Sequence, residues 1–504
     1  MFFGALPSRH FYLRHRCLGT AEAKELLHRW CENSLGRRND FIRAKPNTSR
    51  LMKPLSIFRS FGLAAMLGDV LQDARRNMRG LGLRAFAKNA ATFSAGTLGA
   101  QLITIAFTPF VTRLYGAAPY GIYSVFISVI GILAPIVCLR LDFAVPLPFS
   151  RRIALALTQT ACLSGLGLSL LLSVASFTLG DRLSVKLFGE VGPYLWFMGL
   201  ALPAAAFQLA FTGWNVRENE FRTMSSSQVV SAFTANIGQL LGGLFAAGPL
   251  GLIAGQAIGQ WAGSAMQART VAKALQRRHW PSLRLMWHAT IAYKQFLIWT
   301  LPSSIVNTLG IQLVPIIVVA LYGAKSGGLF FLAYRIVSLP MTLVGTGLGR
   351  VMWGEVARMR RDRPEKLRPL VLAVTFGVLI LTAPGLLFLP FGRQIFALVF
   401  GQAWGDAGVL AAVLFFNAWI GVSVSSSSKL PVIGYNHWQT GWEIMRLAVT
   451  MAIAAAAAIW HLSLIHFVTA ITVGWSFSYI VVFALNLMAI GRTERGERSL
   501  LSSR

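Results

Sequence analysis

From Thr92 to Leu139 the chain reads TFSAGTLGAQLITIAFTPFVTRLYGAAPYGIYSVFISVIGILAPIVCL. Two apolar stretches, 92–112 and 120–139, flank the short break Arg113-Leu114-Tyr115-Gly116. Each is close to the ~20 residues that a helix needs to cross the hydrocarbon of a bilayer. Inside lipid every backbone N–H and C=O must be bonded internally, so both stretches read as membrane helices joined by a tight turn. Similar segments recur at 154–177, 192–213, 226–246, 249–268, 296–320, 328–349, 369–390, 406–427, 443–461 and 464–488. The fold class expected is an all-α membrane protein of about twelve transmembrane helices.

Composition agrees. Of 504 residues 55% are hydrophobic and 13% charged, with mean hydropathy +0.58. Soluble domains carry about 25% charged residues, so a chain of this length with half that charge could not coat a core with polar surface. The formal net charge of +29 does not point to nucleic acid, because basic nucleic-acid binders place their charge on a polar surface. Four cysteines, Cys17, Cys31, Cys138 and Cys162, have no metal-like spacing, the eight histidines are scattered, and no phosphate-cradling Gly-rich loop ends in Lys-Ser/Thr. No metal or cofactor is expected.

The charge is distributed by topology. Breaks after even-numbered helices hold nineteen Lys and Arg and those after odd-numbered helices only five. By the positive-inside rule the long basic loops and both termini are cytoplasmic, which for a bacterial chain means the inner membrane. Residues 1–88 stand apart, with 17 Lys+Arg against 6 Asp+Glu and no stretch able to span a bilayer. Three readings of this basic extension compete: a translated upstream region with the start at Met52, Met66 or Met78, a disordered or surface-lying arm, and a targeting sequence. The loop 269–295 mixes Arg and Lys with Trp280, Leu283 and Trp287, a composition for a cytoplasmic amphipathic linker lying along the membrane surface. The expected domains are thus 1–88, an N-lobe 89–268, the linker, a C-lobe 296–490 and a cytoplasmic tail 491–504.

A repeat supports two lobes. Leu114-Tyr115-Gly116-Ala117 with Gly121-Ile122-Tyr123 returns as Leu321-Tyr322-Gly323-Ala324 with Gly328-Leu329-Phe330, 207 residues later without a gap. The copies fall between helices 1 and 2 and between helices 7 and 8, which implies two parallel six-helix repeats around a central cavity, an architecture of secondary transporters.

Polar residues inside the predicted helices are the candidate cavity lining. Thr97, Gln101 and Thr104 share one face of helix 1; Ser304 and Asn307 lie in helix 7; Arg335, Ser338 and Thr342 form a stripe in helix 8. The hydroxyl and amide residues could equally be interhelical glue, at about 0.6 kcal/mol each. Arg335 is more demanding. About seven residues into its predicted helix, it lies some 10 Å deep, where a lone arginine costs about 2.5 kcal/mol or less. All ten acids between Thr92 and Gly491 are expected at helix ends or in loops, so no counter-charge stands opposite. An unpaired guanidinium suits an anionic cargo such as a phosphate or pyrophosphate head-group; the competing reading is a structural arginine capped by carbonyls or an end pair of the Arg140–Asp142 kind. The same acid count leaves no mid-depth carboxylate to couple transport to protons or sodium.

With these residues in hand, the chain from about Asn89 to Ile490 resembles the oligosaccharide flippases of bacterial polysaccharide biosynthesis, members of the multidrug/oligosaccharidyl-lipid/polysaccharide exporter superfamily. The resemblance rests on Arg113-Leu114-Tyr115-Gly116 with Tyr120-Gly121, on Leu139-Arg140-Leu141-Asp142-Phe143 through Pro148, on Tyr334-Arg335-Ile336-Val337-Ser338-Leu339-Pro340, and on Phe400-Gly401 with Trp404 and Gly408. It implies a two-lobed carrier, not an enzyme, that moves an undecaprenyl-pyrophosphate-linked oligosaccharide between leaflets for exopolysaccharide, capsule or O-antigen assembly. A cationic cavity would hold the pyrophosphate and sugars, with Arg335, Arg140 and Arg113 as its cations, while the lipid tail stays among membrane lipids. A polysaccharide polymerase and glycosyltransferases are the implied protein partners. Two rivals remain: a drug/cation exporter of the same superfamily, which would want buried carboxylates, and a membrane polymerase or ligase of lipid-linked sugars, which would want a long outer loop.

Overall fold

A computed structural model describes residues 83–178, 189–276, 280–362 and 366–502. Residues 1–82, on which the readings of the basic extension turn, lie outside the described residues. All regular structure among those described is helical. The first half contains α1 (Leu83–Leu114), α2 (Ala117–Val137), α3 (Arg151–Thr178), α4 (Met198–Arg217), α5 (Phe221–Leu244) and α6 (Pro249–Gln276). The short α7 (Leu283–Ala292) follows, and then α8 (Leu301–Asp362), α9 (Leu367–Thr382), α10 (Phe388–Phe400), α11 (Gly405–Ser427), α12 (Asn436–Ile459) and α13 (Leu464–Ser502).

Among the described residues nine helices are long and apolar enough to cross a membrane. α5 and α6 are long enough but not among the nine, because Ser, Thr, Asn and Gln dilute their hydropathy. Packing explains how they stay helical there: α5 turns its amides toward its neighbours. Asn236 lies 3.5 Å from the Thr104 hydroxyl of α1, while Gln239 donates to the Tyr123 hydroxyl of α2 at 3.1 Å and to the Leu252 carbonyl of α6 at 3.3 Å. Two expected segments, 296–320 and 328–349, run together: the apolar run Phe296–Leu339 contains the first and the beginning of the second. It is broken at Gly323, whose φ of +80° and ψ of 168° only glycine adopts without strain, so α8 is two helices meeting at that residue.

That break reproduces the first copy of the repeat. Gly116 separates α1 from α2 at the matching position, although its backbone (φ −70°, ψ 171°) is ordinary extended geometry. Beyond each glycine the next helix begins, and the two beginnings pack against each other reciprocally. A methyl group on Gly121 would fall on the Ala324 carbonyl, and one on Gly328 would fall on the Ala117 carbonyl. Backbone touches backbone, which only glycine permits, and the contacting positions 117/324 and 121/328 are related by the same 207-residue offset as the sequence repeat. Below this crossing the small-residue face of α2 continues through Ser124 and Ser128, both fully buried, to Gly131 beside Gln312.

Several boundaries differ from expectation. α12 starts at Asn436 rather than near 443, so Glu443 and Arg446 lie seven and ten residues inside it and are buried (6% and 8% exposed). The expectation that every acid sits at a helix end or in a loop is thereby corrected: Asn436, His437 and Gln439 look like a polar loop but form the first turns of the helix. The segment expected at 369–390 breaks into α9 and α10 around a 3₁₀ turn at Ala383–Leu387. In the 269–295 region, Ser282 caps α7 by accepting from the Leu285 amide at 3.3 Å, and Trp280, Leu283, Trp287 and Ile291 are exposed.

Candidate functional site

The reciprocal glycine crossing brings Arg335 against the first half of the chain. Counted from the break at Gly323, Arg335 is twelve residues along its helix, about 18 Å, further from the helix start than the sequence implied. Its Nη1 donates to the Tyr120 hydroxyl of α2 at 3.1 Å, and the Tyr123 hydroxyl is a second neighbour of the guanidinium. Tyr123 in turn contacts Gln256 of α6 (3.1 Å) and Gln239 of α5. Aromatic rings pack around the pair: Phe331 and Trp404 both lie 5.6 Å from Tyr120, and Phe331 lies 6.0 Å from Tyr123. Arg335 is therefore held by neutral phenols from the other half of the chain, with no ion pair among the described residues.

Two more contacts join the halves at the same end. The Arg113 Nη2 donates to the Leu398 and Val399 carbonyls at the end of α10 (3.1 and 3.3 Å), groups that a helix terminus leaves unbonded. The Trp404 indole donates to the Thr112 carbonyl at 3.0 Å. Arg140 belongs elsewhere. Leu139 and Arg140 leave α2 with φ of +54°, and Arg140 pairs with Asp142 at 3.3 Å and lies 4.5 Å from the Phe143 ring. Burial outweighs the neighbouring guanidinium and pushes the Asp142 carboxyl up to about 6. Arg217 holds the same connection by donating to the Pro146, Pro148 and Phe149 carbonyls.

The helix 1 stripe faces α5 in part. Thr97 donates to the Gln228 side chain at 2.8 Å, Thr104 meets Asn236, and the Gln101 Oε1 is buried without a partner. Ser304 bonds the Leu301 carbonyl of its own helix at 3.0 Å, and Asn307 is half-buried. The Thr342 side chain lies outside the described residues. Ser338 lines a cavity of about 180 Å³ within the second half of the chain, with Gly310, Tyr334, Asn417, Ser425, Arg446 and Trp475 among its walls. The second half of α8 thus presents Arg335 to the first half of the chain and Tyr334 and Ser338 to this cavity.

Sequence reasoning passed over Tyr120, Trp404 and Arg446 as site residues. A charged residue in the run Met445 to Ile459 was the available signal for Arg446; the phenol opposite Arg335 carried none, since a buried tyrosine at a helix start reads as packing.

A family of polysaccharide biosynthesis proteins matches residues 110–409. The succinoglycan biosynthesis transport protein of Rhizobium meliloti (strain 1021) is 23% identical over 391 residues, covering 72% of each chain. Among solved structures, the lipid II flippase MurJ in an inward closed conformation has a TM-score of 0.63 at 12% identity, over 80% of this chain and 89% of that one. An inward-facing multidrug resistance MATE family transporter of the MOP superfamily has a TM-score of 0.59 at 16% identity, over 80% and 96%. At these identities the solved structures speak to the fold. The family match spans more than half of the sequence, and the chain belongs to the polysaccharide biosynthesis protein family, as a multi-pass membrane protein.

Proposed function

We propose that the protein is a flippase that carries undecaprenyl-pyrophosphate-linked oligosaccharide repeat units across the bacterial inner membrane for surface polysaccharide assembly. Two six-helix lobes would alternate access: α1 to α6 form one, and the two halves of α8 with α9/α10, α11, α12 and α13 form the other. By the charge asymmetry of the loops the Gly121 end is the outer one and both termini are cytoplasmic.

The observation that carries this reading is Arg335, deep in its helix and bonded across the lobes only by phenols. A phenol is a weak partner for a guanidinium, so an oxyanion entering the path competes with it through a charge-assisted, bidentate bond. Opening of the Gly121 end separates Tyr120 from Arg335 and frees the same donors. The substrate phosphate and the closed gate then share one group, which links cargo binding to the conformational step.

The drug/cation exporter gains one observation, the buried carboxylate Glu443. Arg446 one turn further on the same helix is an adverse neighbour for a second cation. The polymerase or ligase reading has no site among the described residues to support it.

Complementation of a flippase-deficient strain tests the proposal. Arg335→Ala should abolish surface polysaccharide while membrane abundance is unchanged, and Arg335→Lys should restore part of it, keeping charge but losing the fork. Full complementation by Arg335→Ala removes Arg335 from the substrate path, and wild-type vesicles that move no lipid-linked sugar between leaflets refute the flippase reading.

A further inference from the structure

Arg446 sits ten residues into α12, about 15 Å along the helix, and is 8% exposed. Its guanidinium carbon lies 4.9 Å from the Trp442 ring. The Nε and Nη2 atoms are buried without any hydrogen-bond partner. These two nitrogens form the side edge of the guanidinium, whose parallel N–H bonds match the two oxygens of a carboxylate.

A counter-ion was within reach of this helix. Glu443, one turn earlier, is buried, but it accepts from Gln439 at 3.3 Å, and no ion pair among the described residues joins it to Arg446. The Trp442 ring meets the face of the group, but two buried N–H groups left unbonded are costly enough that they should serve a ligand.

The surroundings keep the edge open. A methyl group on Gly310 of α8 would stand 3.2 Å from Nη2, 3.5 Å from Nε and 3.7 Å from Cζ. That point is nearer to both nitrogens than to the carbon between them, so it lies ahead of the edge and not over the face of the group. Glycine at 310 leaves that space clear. Gly310 and Arg446 both line the cavity of about 180 Å³, together with Ser338, Asn417 and Trp475. The Asn417 Oδ1, also buried without a partner, is an acceptor left for a hydroxyl of the ligand and not for its carboxylate.

We propose that this cavity in the C-terminal half is a binding site for a carboxylate, received by the Nε/Nη2 edge of Arg446 with Asn417 and Ser338 beside it. One guanidinium matches a single negative charge; a pyrophosphate brings more charge than this cavity can neutralise. The carboxylate comes either free from solution or attached to a sugar of the cargo. Only the second source rests on the flippase reading.

The test is binding to the full chain in lipid nanodiscs, measured by titration calorimetry with sodium glucuronate, sodium acetate and neutral methyl glucoside. Glucuronate should bind saturably and methyl glucoside should not. Arg446→Gln and Gly310→Ala should each weaken glucuronate by at least about tenfold, and Arg446→Lys by less, since it keeps the charge. Binding to the wild-type protein is read without any transport step, so a failed flippase reading and a failed carboxylate site are distinguishable. Glucuronate much tighter than acetate assigns the carboxylate to a cargo sugar; equal affinities assign it to a free carboxylate. No binding of either carboxylate, or binding that survives both Arg446→Gln and Gly310→Ala, overturns the site.

Discussion

Replacing Tyr120 by Phe removes one oxygen from the contact between the two halves of the chain. Tyr120 is 1% exposed and receives the Arg335 Nη1 at 3.1 Å. Phenylalanine keeps the ring and its contacts with Phe331 and Trp404, so the change isolates the hydrogen bond. A hydrogen bond to a charged group contributes about 1.5–3 kcal/mol, and a buried donor left unpaired forfeits that amount. On the proposed flippase cycle the loss falls on the conformation in which the halves meet at the Gly121 end, because once that end opens the guanidinium would be hydrated or bound to cargo. The open fraction should therefore rise between about tenfold and about 150-fold. A thiol at Ser124 reports this directly. Ser124 is fully buried, one turn from Gly121 on the face of α2 that meets α8, and Ser124→Cys is nearly isosteric. With the four native cysteines replaced, labelling by a water-soluble maleimide proceeds only through the open state. The Tyr120→Phe background should accelerate it by the stated factor at unchanged overall stability of α3 to α6. A labelling rate within about twofold of the Tyr120 protein would refute the assignment of this bond to gate closure.

Gly121→Ala should act on the same contact by steric means. The added methyl meets the Ala324 carbonyl, backbone that cannot swing aside, so thermal stability in detergent should drop by about 1–3 kcal/mol; Gly167→Ala in α3, with open space around it, should cause no loss, and equal behaviour of the two would refute the close crossing. Asp142 gives a pH dependence. Burial raises its carboxyl to about 6, so the folded chain holds the proton more tightly than the unfolded one. The contribution is fully present below the unfolded value of 3.8 and is lost as pH rises through about 6, by up to about 3 kcal/mol. Asp142→Asn should flatten the melting curve against pH and be the more stable protein at pH 7.5; parallel pH profiles of the two would refute the burial argument.

Much of the site was open to sequence reasoning because charge inside an apolar helix is conspicuous whatever surrounds it. Arg335 stands out in this way, and Gly116 and Gly323 stand out because a Tyr-Gly pair interrupts two hydrophobic runs. Arg446 did not, since the polar first turns of α12 concealed where the helix begins. Thr97 and Thr104 read from the sequence equally as cavity lining or as interhelical glue; in the structure they meet Gln228 and Asn236 of α5. A hydroxyl on a helix face has the same periodicity whether water or a neighbouring helix lies opposite, so no pattern along the chain separates the two.

The sequence by itself determined that this chain is helical and membrane-embedded, because continuous apolar runs of about 20 residues suit a spanning helix and not the alternating strands of a barrel, and 13% charged residues leave too little polar surface for a soluble core. It also determined that residues 114–123 and 321–330 are one motif used twice. Only the tertiary structure decided that the two copies touch, glycine against carbonyl. That crossing is what hands Arg335 to a tyrosine 215 positions away. Partnership is a property of distances between helices, and helical periodicity fixes which way a side chain points but never what it meets.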